Sequence, residues 1–264
     1  MAYPAASYER YSVPGLFAPW ATLLMRIADP RPGQRVLDVA CGTGIVARQV
    51  AHLVGRQGTV VGLDLDPDMI DTGRIAAARE GVEVEWRTGR AERLPFPDGG
   101  FDTVVCQFGL MFFADRHAAL GEMHRVLRPG GHVVVSVWQG LDRHPFHGAL
   151  DEASRRHLGR SSVGAVFSLG DAAVVRGLLA EAGFHGIEIE SRSITARHAD
   201  PEEFLAWEID VDPGETPALR HLEVEEQAAV VADLQSELRS SLSQVTVRGE
   251  VVLASHAHLV HATR

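Results

Sequence analysis

The chain is poor in cysteine, with two in 264 residues, and has no apolar run near the roughly 20 residues that span a bilayer. Cys41 and Cys106 are too few for a disulfide framework, and each lies in an apolar, strand-like context that suits a buried thiol. The N-terminus lacks the basic and apolar regions of a signal peptide, so a cytoplasmic location is expected. Excess positive charge is also missing. A formal net charge of −10 argues against a nucleic-acid partner, because such binding draws on clustered Lys and Arg, and Arg155-Arg156 reads as a solvated helix face. Neither a Gly-x-Ser-x-Gly elbow nor a Walker Gly-Lys-Thr occurs, which removes the usual hydrolase and phosphate-transfer readings. No repeat, low-complexity tract or long linker breaks the chain.

What is present is an alternation of short apolar runs with helix-like segments from Arg35 to Trp138, the pattern of a parallel sheet covered on both faces. Strands are predicted at Arg35 to Ala40, Thr59 to Asp64, Glu83 to Thr88, Phe101 to Gln107 and His132 to Trp138. Helical spacing marks Ile45 to Val54, Pro67 to Glu80 and Arg116 to Leu127. A further helix is expected from Asp171 to Ala182, capped by Asp171 and Gly183, and strands six and seven at Ile187 to Arg197 and Val251 to Thr263. The expected fold is α/β: a Rossmann-like, doubly wound, mostly parallel seven-stranded sheet with an N-terminal helix and helical cap insertions. A single domain of 264 residues follows, with its core at about 30–140, 171–198 and 250–264, and caps at about 1–28, 139–169 and 200–246.

Gly42-Thr43-Gly44 followed by Ala47 fits G-x-G-x-x-A, where glycine lets a ligand approach backbone and lets helix pack on strand. Asp64 closes the second predicted strand about 20 residues beyond Gly44, where such folds place a carboxylate for ribose hydroxyls. The bland alternative is a tight turn and a helix cap. Together the two features predict an adenosine-containing ligand, leaving a dinucleotide and S-adenosylmethionine open.

The string Val36-Leu37-Asp38-Val39-Ala40-Cys41-Gly42-Thr43-Gly44 resembles the first motif of class I S-adenosylmethionine-dependent methyltransferases, in particular the ubiquinone and menaquinone biosynthesis branch. Gly62-Leu63-Asp64-Leu65-Asp66-Pro67-Asp68-Met69 resembles the second motif. Leu94-Pro95-Phe96 with Phe101 to Val105 resembles the fourth-strand motif, and Leu127-Arg128-Pro129-Gly130-Gly131 the turn before strand five. The resemblance runs from about Tyr8 to Trp138. It implies S-adenosyl-L-methionine as cofactor, with Asp38 toward the methionine ammonium, and it places Ala40, Gly42, Thr43, Gly44, Asp64, Leu65, Met69, Ala91, Glu92 and Gln107 in the cofactor site. Arg90 stands where the family carries an Asp that meets the adenine amine. Arg has donors only, so adenine recognition falls to backbone near Ala91, to Glu92, or to stacking of the Arg90 guanidinium. Tyr11 is expected over the cofactor, and Phe108, Met111, Phe112 and Phe113 are candidates for an apolar wall.

A sulfonium methyl is already activated, so transfer asks mainly for alignment and exclusion of water, with a base where the acceptor is a hydroxyl. His144 and His147, just beyond strand five, are the candidate bases, although 13 histidines are spread along the chain. No metal is expected from His144-Pro145-Phe146-His147 without a cysteine or carboxylate cluster. The reading is methyl transfer to oxygen, nitrogen or carbon of a small-molecule acceptor, a metabolite or quinone-like precursor. Two alternatives stand beside it: a protein of this fold that binds S-adenosylmethionine for rearrangement or sensing, and a nicotinamide-dependent oxidoreductase. The oligomeric state is open, a homodimer included.

Overall fold

A computed structural model describes residues 5–210 and 224–264. Residues 211–223, part of the expected cap at 200–246, lie outside the described residues. Among the described residues the sheet has eight strands: β1 (Arg35–Val39), β2 (Thr59–Asp64), β3 (Glu85–Thr88), β4 (Phe101–Gln107), β5 (Leu127–Trp138), β6 (His185–His198), β7 (Thr246–Val247) and β8 (Glu250–Thr263). The order is β3-β2-β1-β4-β5-β8-β6, with β7 paired only to β8. The first five strands are parallel, and β8 is antiparallel to both β5 and β6. The mostly parallel α/β expectation holds, and the strand count rises from seven to eight. β7 is the short arm of a two-residue hairpin whose central Arg248 and Gly249 have φ of 54° and 85°, the left-handed pair that matches strand twist.

Strand boundaries also move. β3 starts at Glu85 because only Glu85 to Thr88 reach the register of β2, and β5 starts at Leu127, which pairs with Phe101 ahead of an irregularity that absorbs the glycines of the expected turn. The central strands are continuous apolar runs, as strands covered on both faces must be: Val36, Leu37, Val39, Val104, Val105 and Val133 to Val135 are all buried.

Helices flank the sheet. α1 (Ala5–Ser7) leads into a π-helical stretch, Tyr8–Phe17, and then α2 (Ala18–Ala28), which buries Trp20, Leu24 and Met25. α3 (Ile45–Val54) and α4 (Pro67–Glu80) follow β1 and β2. Asp66 caps α4 by accepting from the Asp68 amide at 2.8 Å, Pro67 presets its first turn, and Gly81 ends it at φ 70°. α5 (Arg116–Val126) precedes β5, and α6 (Pro145–Leu158) gives the expected cap at 139–169 a helical body, burying Phe146, Leu150 and Ala153 along one face. α7 (Ala172–Glu181) is capped by Asp171 as expected. α8 (Pro201–Asp210) and α9 (Val224–Val245) complete the cap elements, and Leu234, Leu238 and Leu242, spaced by four, are the buried face of α9. One buried apolar cluster runs from Trp20 through the sheet to Leu242 and Ala262. Among the described residues, no helix is long and apolar enough to cross a membrane.

Trp86 of β3 explains three glycines at once. A Cβ on Gly44, Gly62 or Gly73 would meet its ring at 2.3, 3.0 and 2.8 Å, so α3, β2 and α4 close on a single indole. Gly44 also has φ 80°. Gly44→Ala combines overpacking with left-handed strain and should lower stability by about 2 to 4 kcal/mol, read as a shift of the urea midpoint.

Candidate functional site

The site forms at the carboxyl edge of β1, β2 and β4. β1 delivers Asp38 to a buried position where Oδ2 accepts from the Ala47 amide of α3 at 3.0 Å. Its other oxygen, Oδ1, is buried and has no hydrogen-bond partner among the described residues. Burial pushes the Asp38 carboxyl up to about 8, with Asp64 adding to the rise while the Ala47 amide and Arg48 oppose it. Gln107, at the end of β4, donates from Nε2 to the Phe17 carbonyl at 3.1 Å, and its buried Oε1 is likewise unpaired. Two unpartnered buried oxygens at adjacent strand ends suit a donor-rich group.

Between them the chain turns sharply. Ala40 has φ 55°, an uncommon non-glycine value, and a Cβ on Gly109 would lie 2.6 Å from that of Ala40, so the glycine makes room for the bend. Gly42, at φ 55°, donates its amide to Asp64 Oδ2 at 2.7 Å, and Asp64 Oδ1 accepts from the Asp66 amide at 3.0 Å. Each oxygen keeps a lone pair for a further donor, which suits a pair of vicinal hydroxyls. Burial raises the Asp64 pKa, and the backbone amides counter it. Leu65 is exposed, Met69 half-buried and Ala91 buried. Arg90 is exposed and pairs with Glu92 at 3.4 Å, while Glu92 Oε1 accepts from the Ala114 amide at 3.1 Å. Phe108 and Met111 of the expected apolar wall are buried, whereas Phe112 is exposed.

Two site expectations change. Tyr11 lies beside the Glu203 carboxylate of α8, which raises its pKa, and is not the tyrosine that covers the turn. Tyr8 does, with its ring edge 3.6 Å from where a Gly42 Cβ would stand and its face stacked on Phe17 at 5.1 Å. The wide turn of a π-helical stretch separates residues three apart onto different faces, which periodicity reading could not foresee. Burial, with the Asp64 and Glu9 carboxylates, raises the Tyr8 phenol far above its ordinary value and keeps it protonated. His144 is the second correction. Its Nδ1–H donates to the Gly140 carbonyl and its Nε2 accepts from the His256 amide, both at 3.1 Å, so neither nitrogen is open to a substrate. Burial drives its pKa down to about 4, which makes it a neutral structural strut.

His147 is different. Its Nε2 lies 3.2 Å from Glu208 Oε2 on α8, in a setting of Phe146 and Phe167 rings. Cys41 and Cys106 are buried and free, and burial pushes the Cys106 thiol up to about 12. Among the described residues, no group of three or more His, Cys, Asp or Glu gathers as metal ligands.

Arg48 is the residue that sequence reading missed. Its side chain on α3 is fully buried and donates to the Thr43 carbonyl at 2.5 Å and to Glu9 at 2.7 Å. Nε lies 3.0 Å from Glu80 Oε1 without hydrogen-bond alignment. The Thr43 hydroxyl also donates to Glu9, at 2.5 Å. One guanidinium therefore ties the glycine turn to the N-terminal segment and to α4. An arginine on a helical pattern carries no signal for such burial.

Residues 14–144 match the ubiE/COQ5 methyltransferase family. That match spans just under half of the chain, over strands β1 to β5 and the glycine turn. A ubiquinone/menaquinone biosynthesis C-methyltransferase of Shewanella sp. strain ANA-3 is 40% identical over 123 residues, 46% of this chain and 49% of that protein. The chain therefore spans about half the length of the curated relative it matches. A putative methyltransferase from Bacillus halodurans superposes with a TM-score of 0.61 at 23% identity, covering 92% of this chain and 97% of that one. A Haemonchus contortus phosphoethanolamine N-methyltransferase, solved with S-adenosylhomocysteine, gives 0.55 at 19% identity, covering 98% and 59%. At these identities the two solved structures bear on fold alone.

The raised Asp38 pKa has a directional consequence. Below about pH 8 the folded site holds a proton on Asp38, so the affinity of any cationic group that this carboxylate binds, such as an ammonium, should rise with pH up to about 8. In Asp38→Asn the rise should vanish, as titration calorimetry in buffers of different ionisation enthalpy would show. For folding, the folded chain keeps this proton where the unfolded carboxyl, near 3.8, has lost it. Asp38 therefore costs stability progressively from about pH 4 to 8, and the melting temperature of Asp38→Asn relative to wild type should climb over that window.

Proposed function

We propose that the chain binds S-adenosyl-L-methionine and transfers its methyl group to a small-molecule acceptor. The observation that carries this is the pair of buried, unpaired acceptors, Asp38 Oδ1 and Gln107 Oε1, beside a glycine turn whose Asp64 carboxylate retains free lone pairs. An ammonium group has the donors that the first two lack, and a ribose diol has those that Asp64 takes. The cofactor-site set is Asp38, Ala40, Gly42, Thr43, Gly44, Asp64, Leu65, Met69, Ala91, Glu92 and Gln107, with Tyr8 in place of Tyr11. Arg90, held to Glu92, borders adenine and leaves the adenine amine to backbone near Ala91. The bound cofactor supplies an electrophilic methyl on a sulfonium. The protein's part is to fix the ends of the cofactor, align the acceptor and keep water out, which Tyr8, Phe17 and Phe108 favour by roofing the turn with aromatic rings.

The acceptor is a metabolite or a quinone-like precursor. The relative's C-methyltransferase activity makes a quinol ring one member of that class. The net charge of −10 favours a small partner over nucleic acid, in a cytoplasmic setting. The whole chain acts as one methyltransferase domain, with α6, α8 and α9 as its cap.

Titration calorimetry with S-adenosylmethionine, S-adenosylhomocysteine and NAD tests the reading. Binding of the first two and not of NAD is expected, and binding of NAD alone would overturn it. Asp64→Ala should weaken S-adenosylhomocysteine by about 1 to 3 kcal/mol, the usual loss for a charged hydrogen-bonding group.

A further inference from the structure

Beyond the cofactor turn, the same edge of the sheet carries a second set of ionisable groups. β6 runs parallel to β5, since both are antiparallel to β8, and it continues past the level of Trp138 from Ser193 to His198. His198 therefore stands above the carboxyl edge, on the side where Asp38 and Gln107 emerge. Burial lowers its pKa, with Glu208 opposing and His147 adding to that shift. The ring of His198 lies 4.7 Å from Phe204 and 6.3 Å from Trp207. His147 Nε2 is 3.2 Å from Glu208, whose side chain is only 9% exposed. Glu208 is thus a nearly buried carboxylate within reach of two imidazoles whose rings pack on Phe146, Phe167, Phe204 and Trp207.

The N-terminal segment links this group to the cofactor turn in one continuous wall. Tyr8 lies on Gly42, Tyr11 stands beside the Glu203 carboxylate of α8, Gly15 packs on the Arg197 carbonyl of β6, and the Phe17 carbonyl accepts from Gln107. The same ten residues thus border the turn through Tyr8, the α8–β6 junction through Tyr11 and Gly15, and Gln107 through Phe17. Among the described residues, His147 Nδ1 makes no hydrogen bond.

Resting on the methyl-transfer reading, we propose that His147, oriented by Glu208, is the base for an acidic hydroxyl, so that the acceptor is a phenol or enol methylated on oxygen. As the methyl leaves sulfur, the S–C electron pair stays on sulfur and an acceptor lone pair forms the O–C bond. The acceptor O–H bond breaks, and its proton passes to His147 Nδ1, giving an imidazolium that faces the Glu208 carboxylate. Glu208 is a positioning residue. It holds Nε2 as the protonated nitrogen and favours the charge that His147 acquires. The other titratable groups around His147 are His144, closed by its two backbone bonds, His198 and, beyond His144, His256.

Two readouts test this. The first uses 4-nitrophenol, whose colour reports its ionised form, added to protein saturated with S-adenosylhomocysteine. Enrichment of the phenolate at a pH where free nitrophenol is mostly neutral is expected, with loss in His147→Gln, reduction in Glu208→Gln and recovery in Glu208→Asp. The second is labelled-methyl transfer from S-adenosylmethionine to a panel of phenols and naphthols of graded acidity. His147→Gln should lower kcat about 10²- to 10⁴-fold and steepen its dependence on acceptor acidity. Glu208→Gln should move the acidic limb of the kcat–pH profile to lower pH, which a merely structural pair would not do. Absence of both bound phenolate and labelled product across the panel, or an unmoved pH limb in a folded Glu208→Gln, overturns the proposal. In either event, retained S-adenosylhomocysteine binding keeps the cofactor reading, whereas its loss in the unaltered protein strikes that reading instead.

Discussion

The 2.7 Å hydrogen bond from the Gly42 amide to the Asp64 carboxylate is the constraint on which the rest of the site depends. It joins the ends of two neighbouring parallel strands, β1 and β2, just where both chains leave the sheet. With Asp38 holding the Ala47 amide, the turn is fixed at both its start and its finish. The turn then has little freedom left, and backbone that would otherwise fold over the sheet edge is held open for a ligand. The cost is two carboxylates placed out of water, visible in the raised pKa of each.

Arg48 shows how the molecule compensates. A buried guanidinium beneath the turn meets Thr43, Glu9 and Glu80, so the positive charge sits between the turn, the N-terminal segment and α4. Through Glu9 it brings Tyr8 onto Gly42, and through the aromatic series Tyr8, Phe17, Phe108 and Trp138 the packing continues to the end of β5. Cofactor turn, N-terminal roof and cap are thereby one packed unit rather than three attachments.

The cap divides its histidines by their hydrogen bonds. His144 spends both nitrogens on backbone and becomes a strut, while His147 keeps one nitrogen clear and sets the other against Glu208. The two differ by three positions on the chain and were equal candidates from sequence. What separates them is the amide of His256, supplied by β8 more than 100 residues away, a donor that local spacing cannot announce.

The sequence by itself determined the parallel sheet, the glycine turn and its two carboxylates, because each is a local matter: an apolar run, a left-handed backbone position, or an acid at a strand end. It also marked the helix cap at Asp171, whose side chain bonds the amide two residues on. Only the tertiary structure decided which tyrosine roofs the turn, which histidine is open, that Arg48 is buried, and that Trp86 requires glycine in three different elements. All of these are pairings between distant segments, in which a side chain's role is set by the donors and surfaces that arrive from elsewhere in the fold.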